Sequence, residues 1–500
     1  MDMHAAPAPL VSSHALRLTL FLFLMTALFM ATLDNQIVAT ALPTIVAEFG
    51  EMERFGWIGS AYLLATCAVM PLYGKLGDLF GRKYVMLAAV AIFTLGSVAC
   101  GLAVSMNTLI AARVLQGLGG GGIMVSIFSI TADLFEPRER ARYQSYSSLV
   151  LMASGAIGPV LGGTMSDLFG WRSIFLVNIP IGLIVLTGLF FFLPYRRPTR
   201  LPTIDYAGAL LLAGAVTSVV LLGDGAELFG SLLSLGSLAV VAIGTLCAIA
   251  WVLVERRARE PIVPLTLFRN PTFSLMLVIS LMSGAVGIGM VNYFALFLQT
   301  TTGLTPSAAG VLFILLTGGI VAGSLTAGRL ISLSGRYKPF AIVSASLTAL
   351  ALLMFTQVQP GTPLVIIGAI MALHGIGIGF GQQVPVVGVQ NVASRGDVGA
   401  ATGAVTLSRM AGASIAISIY GATIAAGLAR GAVSIPGVED IEKLTPLMLS
   451  ALPEATRRLV AESYTAAFQP LFLTAVGISL IALISAIGLK AVRLPQKAAV

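Results

Sequence analysis

The sequence predicts an all-α, polytopic membrane protein with fourteen spanning helices, and three observations carry that prediction. Of 500 residues, 57% are hydrophobic and only 10% charged, against about 25% charged in a soluble domain. So few charges cannot cover a water-facing surface. The apolar residues fall into fourteen long runs, each close to the roughly 20 residues that a helix needs to cross a hydrocarbon core about 30 Å thick. The formal charge of +8 sits in short basic clusters between those runs, which is how topology signals are distributed. A nucleic-acid partner would need a continuous basic face, and none is expected.

The runs cover about 15–43, 55–74, 84–105, 108–131, 143–166, 173–194, 204–223, 231–254, 273–299, 308–331, 339–357, 362–386, 400–428 and 467–490. Each is expected to be helical, because inside a bilayer backbone groups must be hydrogen-bonded within their own segment. The first run is too long for a secretory leader, contains Asp34, and is followed by no small-residue cleavage pattern, so it is expected to be retained. If the connections after even-numbered runs face the cytoplasm, that side holds 21 of the 29 Lys and Arg residues. Six lie outside, and two, Arg113 and Arg409, lie within runs. Both termini are therefore expected in the cytoplasm. Cys67, Cys100 and Cys247 each fall in an apolar run without disulfide or metal spacing.

An internal repeat sets the domain organisation. The connection Gly74-Lys75-Leu76-Gly77-Asp78-Leu79-Phe80-Gly81-Arg82-Lys83 lies over Gly328-Arg329-Leu330-Ile331-Ser332-Leu333-Ser334-Gly335-Arg336, keeping two glycines seven apart and a basic residue after the second. Matching the second run to the tenth leaves a surplus pair between two groups of six. The expected division is a tail at 1–14, an N-terminal six-helix bundle at 15–198, an inserted pair with basic, proline-containing linkers at 199–264, and a C-terminal six-helix bundle at 265–500. Repeated halves around a central site are a common build of secondary transporters. The segment 429–466 is expected on the outer face. Leu447, Leu449, Leu452, Leu459 and Val460 outline either a short amphipathic helix or hairpin over the outer opening, or a loop on the membrane surface. Whether it docks a periplasmic adaptor is left open by the residues.

Polar groups inside the runs are the functional candidates, because each is expensive in a bilayer. Arg113 lies about 9 Å below the outer end of the fourth run, and Asp34 lies about 13 Å below the Pro43 end of the first, so the two are expected to pair. Burial raises a carboxylate pKa and an arginine lowers it, so an Asp34 close to both water and Arg113 could load and lose a proton. A static ion pair that fixes packing is the alternative. In the Gly74–Lys83 connection, Asp78 is expected to accept hydrogen bonds from N–H groups at the start of a neighbouring helix, or from a basic residue such as Arg142. Gly74, Gly81 and Arg82 complete this candidate conformational latch. In the fifth run, Pro159 is expected to remove a donor and kink the helix, while Gly158, Gly162 and Gly163 offer a flat surface, a candidate hinge or sliding contact. Gln36, Gln116, His374 and Gln382 are the candidate polar lining of a substrate cavity, with a hydrogen-bonded packing residue as the alternative for His374, a lone histidine among glycines. The glycine runs at 117–122 and 375–379 follow no strand, which argues against a nucleotide site. No HExxH, GxSxG or paired histidines point to an enzyme, and neither a cofactor nor a metal is expected.

The Leu33–Pro43 stretch, the Gly74–Lys83 loop, Arg113–Gly122, Gly155–Gly163 and Trp171–Gly182 together resemble the signature elements of the major facilitator superfamily. More narrowly, they resemble its fourteen-helix drug:proton antiporter branch, to which bacterial multidrug efflux pumps belong. The resemblance implies the major facilitator fold, two six-helix bundles plus two inserted helices. It implies proton coupling through Asp34 and Arg113, an antiport element at Gly158, Pro159, Gly162 and Gly163, and a latch at Gly74, Asp78, Gly81 and Arg82. Gln36, Ala39, Ser154 and Ser332 depart from the family pattern. The implied activity is alternating-access export of amphipathic or cationic drugs and toxic organic compounds across a bacterial inner membrane, driven by the proton-motive force. The partners would be such small molecules, protons and the lipid bilayer. Export of an endogenous metabolite, siderophore or lipid, with drug efflux incidental, is the alternative.

Overall fold

The computed structural model describes residues 10–49, 55–196, 204–223, 234–304, 306–430 and 453–495. Among these, the only β pairing is an isolated bridge between Arg336 and Arg493; the rest of the regular structure is helical. In chain order the helices are α1 (His14–Phe49), α2 (Phe55–Phe80), α3 (Arg82–Gly101), α4 (Met106–Leu134), α5 (Pro137–Ser145), α6 (Ser147–Phe169), α7 (Ser173–Leu176), α8 (Asn178–Phe192) and α9 (Tyr206–Gly223). There follow α10 (Leu235–Glu255), α11 (Pro271–Val286), α12 (Val291–Thr301), α13 (Pro306–Ser334), α14 (Lys338–Phe355), α15 (Leu364–Gly381), α16 (Val384–Val392), α17 (Val398–Arg430) and α18 (Glu454–Gly488).

Twelve of the described segments are long and apolar enough to cross a membrane. The expected runs at 204–223 and 273–299 supply shorter apolar helices, Tyr206–Leu222 and Pro271–Val286, so the count of fourteen full-length spans is not reached by this measure. The ninth run is divided because the chain turns through Gly287-Ile288-Gly289-Met290 between α11 and α12. The fifth bends at Tyr146 and the twelfth at Gln382-Gln383, whereas α6 runs unbroken through Pro159. Local sequence sets several starts. Ser105 and Thr108 form a reciprocal capping box on α4, and Asn270 caps α11 with Pro271 at its first turn. In the outer segment, residues 431–452 lie outside the described residues. Residues 454–466, expected as part of a short amphipathic helix or hairpin or as a surface loop, are helical and form the first turns of α18, continuous with the last span. Val460 there is buried in the C-terminal core.

Two hydrophobic clusters are built wholly from α1–α8 and the residues beside them, and a third wholly from residues 285–478. A fourth joins the halves: Leu72, Phe128 and Ala141 pack with Ile262, Phe273, Met276, Val384 and Val405. It lies at the end of the molecule that carries the basic connections, hereafter the basic end. The polar contacts between the halves gather there too. Gln144 Nε2 donates to Gln390 Oε1 at 3.1 Å, Ser148 Oγ lies 2.8 Å from Ser324 Oγ and 2.6 Å from Gln382 Oε1, and Gln383 Nε2 donates to Ser147 Oγ at 3.0 Å. Toward the opposite end, each cluster draws on one half alone. The halves therefore form a V closed at the basic end. Helix α9 packs between α2 and α17, with Val216 and Val220 against Cys67, Leu407 and Met410, while α10 packs on α9.

Candidate functional site

Asp34 and Arg113 meet, as their depths predicted, inside the N-terminal half. Arg113 Nη1 donates to Asp34 Oδ2 at 2.6 Å, with Asp34 only 1% exposed and Arg113 0%. Asp34 Oδ1 accepts from Gln116 Nε2 and from Asn178 Nδ2, both at 2.8 Å. Arg113 also donates through Nε to the Ile58 carbonyl at 3.0 Å and through Nη1 to Gln116 Oε1 at 2.6 Å, and its guanidinium lies 4.4 Å from the centre of the Tyr62 ring. Gln116 Nε2 reaches Ser97 Oγ at 2.8 Å. Five helices, α1, α2, α3, α4 and α8, thus contribute to one buried polar knot. Two of its atoms, Arg113 Nη2 and Asn178 Oδ1, are buried without a partner.

This geometry corrects one expectation. Asp34 was expected near water, and in this conformation it is enclosed by its own bundle. Gln116, a candidate for the substrate lining, is likewise 0% exposed and belongs to the knot. A charge pair so buried is tolerated because each charged group also has hydrogen bonds; removing one partner would leave an uncompensated charge, at a cost of about 3–5 kcal/mol.

The knot is tied to the glycine-proline element through α1. Two residues past Asp34, Gln36 is exposed on the other side of the helix and lies directly against Gly158: a Cβ there would meet Gln36 Cβ. One turn earlier, Thr32 Oγ1 lies 2.7 Å from Ser154 Oγ. The hydroxyl at Ser154, where the family pattern often has glycine, therefore bridges α1 and α6. Gly163, by contrast, faces open space.

At the basic end, Asp78 Oδ2 accepts from the Gly399 N–H at 2.8 Å and the Ala400 N–H at 3.1 Å, at the start of α17 in the other half. Asp78 Oδ1 pairs with Arg82 Nη2 at 3.2 Å, and Arg82 Nη1 with Asp133 Oδ2 at 2.8 Å; Nη1 also donates to the Ser129 carbonyl. The carboxylate lies where the helix dipole of α17 is positive. Both kinds of donor foreseen for Asp78 are present, the backbone at a helix start and a basic residue, which is Arg82. Arg142 is not brought to it; that side chain is exposed on α5 and turns to Tyr146. Gly81 closes α2 at φ 91°, and its repeat partner Gly335 closes α13 at φ 69°, a backbone state that glycine adopts without strain. The first glycines of the repeat match as well. Gly74 abuts Gly399 of the opposite half, and Gly328 abuts Ala141 and Ser145 of α5.

His374 is fully buried in the C-terminal half, with Nε2 3.1 Å from the Val286 carbonyl, which the break after α11 leaves without its helical donor. It pins that break and does not line an opening, which corrects its place among the cavity candidates. Gln382 is half-buried and spans the halves through Ser148. Sequence reasoning missed Ser97, Tyr62 and the role of Asn178; the last lies inside the Trp171–Gly182 stretch, and a buried amide just past a helix start was its signal. At the far end, Glu48 accepts from Trp171 Nε1 at 2.6 Å and from Arg172 Nη1 and Nη2 at 3.0 and 2.7 Å. These bonds, led by Arg172, hold the Glu48 carboxyl below its usual pKa.

Two helical halves joined at one end, with a charge pair buried inside one of them, are the build of a secondary membrane transporter. The family model described as Major Facilitator Superfamily matches residues 24–417, and the chain belongs to that family. It is 34% identical over 503 residues to an MFS-type transporter of Mycobacterium tuberculosis (strain ATCC 25618 / H37Rv), covering 98% of this chain and 72% of that protein. It is 31% identical over 405 residues to Multidrug resistance protein 3 of Bacillus subtilis (strain 168), covering 80% of this chain and 78% of that one. The solved structure of the proton:xylose symporter XylE superposes with a TM-score of 0.61 at 14% identity, over 95% of each chain, a likeness of fold.

Proposed function

We propose that this transporter exports amphipathic organic compounds, drugs and toxic molecules among them, across a bacterial inner membrane in exchange for protons. The observation that carries the proposal is the Asp34–Arg113 knot fastened through Gln36 and Thr32 to the glycine-proline face of α6. In the present conformation Asp34 accepts three hydrogen bonds. A proton arriving on Asp34 would cancel its charge and leave Arg113 buried without a counter-ion, a state that the closed bundle disfavours. Relief requires α1 to shift against α6, which links protonation to the hinge. Each proton entering down the membrane potential supplies about 2.3 kcal/mol per 100 mV, so one or two would sustain a modest gradient of exported compound. With basic connections in the cytoplasm, the closed end faces inward and the open end outward, as an exporter would stand while releasing cargo.

The test is proton release from proteoliposomes on addition of substrate, wild type beside Asp34→Asn. The proposal expects substrate-dependent proton movement in the first and none in the second, with both retaining the same elution profile. Coupled movement that survives the substitution would remove Asp34 from the carrier role. Uncoupled, saturable flux in wild type would remove the exchange itself. A growth-inhibition panel in a pump-deficient host then separates drug export from export of an endogenous metabolite, siderophore or lipid.

A further inference from the structure

The membrane interior holds a second arginine, and its surroundings differ from those of Arg113. Arg409 lies eleven residues into α17, about 16 Å from the basic end. Its Nη2 donates to the Gln382 carbonyl at 2.6 Å, at the end of α15, and its Nε is buried without a partner. Nη1 makes no hydrogen bond among the described residues, and the side chain is half-buried. No described carboxylate pairs with it. The mid-depth acid of the other half, Asp34, is consumed by Arg113, and Asp78 lies at the basic end.

The face that Arg409 occupies is the one between the halves. Seven residues earlier on α17, and so two turns below on the same side, Thr402 Oγ1 accepts from Gln390 Nε2. That amide also donates to the Phe128 carbonyl of the N-terminal half. Gln382, whose main chain Arg409 holds, sends its side chain across to Ser148. Arg409 therefore stands at the floor of the V, directly above the contacts that close it. Ser408 and Gly412, its neighbours on α17, pack on α11, as does the main chain of Arg409 against Gly284.

The geometry points to Arg409 as a binding site for the acidic group of an amphipathic substrate: a carboxylate, sulfonate or phosphate whose apolar body lies in the cleft above. An unpaired guanidinium at this depth is costly alone and becomes favourable when an anion completes it. This rests on the export proposal for its direction and narrows the expected cargo. A cationic compound would meet net positive charge at the cleft floor, so acid-bearing amphiphiles are the preferred class over the cationic ones that the family resemblance implied.

The test uses two dyes of one skeleton, carboxyfluorescein and rhodamine 6G, titrated against the full-length protein in phosphatidylcholine nanodiscs. The expected result is tighter binding of carboxyfluorescein by wild type. Arg409→Gln should weaken it roughly thirtyfold or more, Arg409→Lys only severalfold, and rhodamine 6G binding should not fall in either. Unchanged carboxyfluorescein binding in Arg409→Gln, equal loss of both dyes in both variants, or no binding of the acidic dye by wild type would each overturn the assignment. Repeating the titration with phosphatidylglycerol in the disc identifies the source of the acid. Displacement of dye by that lipid assigns the site to a headgroup; undisturbed binding assigns it to a soluble acid. If Arg409-dependent binding holds but proteoliposomes move neither dye under a proton gradient, the export proposal fails and the site stands.

Discussion

Gly74 and Gly399 meet backbone to backbone across the two halves, so that a methyl group on either would occupy the place of the other's carbonyl oxygen. Beside them, Asp78 receives the first free N–H groups of α17. The closed state thus depends on two residues having no side chain and on one carboxylate at a helix start. Gly74→Ala and Gly399→Ala are expected to drive the basic ends apart, and Asp78→Asn to do so more mildly, by about 1–2 kcal/mol of lost charge–dipole interaction. Distances between spin labels on α5 and α16 check this; an unchanged distribution in Gly74→Ala would show that the close approach does not hold the halves together.

Removing the charge of Asp34 alone strands Arg113. Asp34→Asn is expected to lower stability by about 3–5 kcal/mol, while the double variant Asp34→Asn, Arg113→Gln recovers much of that loss because no buried charge remains. Thermal unfolding in detergent, compared across the two single variants and the double, measures the coupling. Additive losses would mean that the two side chains contribute independently.

The glycines of α6 are expected to divide sharply. Gly158→Ala puts a methyl into Gln36 and should slow transport while leaving the fold intact. Gly163→Ala meets nothing and should be neutral, or stabilise the helix by up to about 1 kcal/mol. Initial rates of substrate movement in vesicles separate them. Equal behaviour of the two substitutions would deny the α1–α6 contact a special role.

The Glu48–Arg172–Trp171 contact gives a pH prediction. Because the folded-state pKa of Glu48 is lowered, its stabilising contribution is complete above the ordinary carboxylate range and is lost as pH falls through that depressed value. Trp171 fluorescence, read with Trp57 and Trp251 replaced by Phe, is expected to hold through mild acid and change only below that range. In Arg172→Gln the transition should move up toward the usual carboxylate pKa. An identical midpoint in both proteins would remove Arg172 as its cause.

Much of this was legible in the chain. Asp34 and Arg113 could be paired from depth alone, because rise per residue and bilayer thickness leave an intramembrane charge few places to go. The seven-residue spacing of Gly74 with Gly81, and of Gly328 with Gly335, disclosed the repeat, and both second glycines have positive φ. Less was legible where every side of a helix is apolar. Periodicity there carries no orientation, so His374 and Gln116 read as cavity lining when they are interior. The division of the ninth run at 287–290 and the extension of α18 back to Glu454 were equally hidden, since hydropathy reports how apolar a segment is and not where its backbone turns.

Sequence by itself determined that this chain lies in a bilayer as repeated helical halves, because charge, apolar length and glycine spacing are local properties. Tertiary structure decided who faces whom. It enclosed Asp34 within five helices, gave Asp78 to α17 and not to Arg142, and left Arg409 without a carboxylate among the described residues. Each of those outcomes depends on residues tens to hundreds of positions apart arriving at one depth and one rotation, which packing sets and no single segment records.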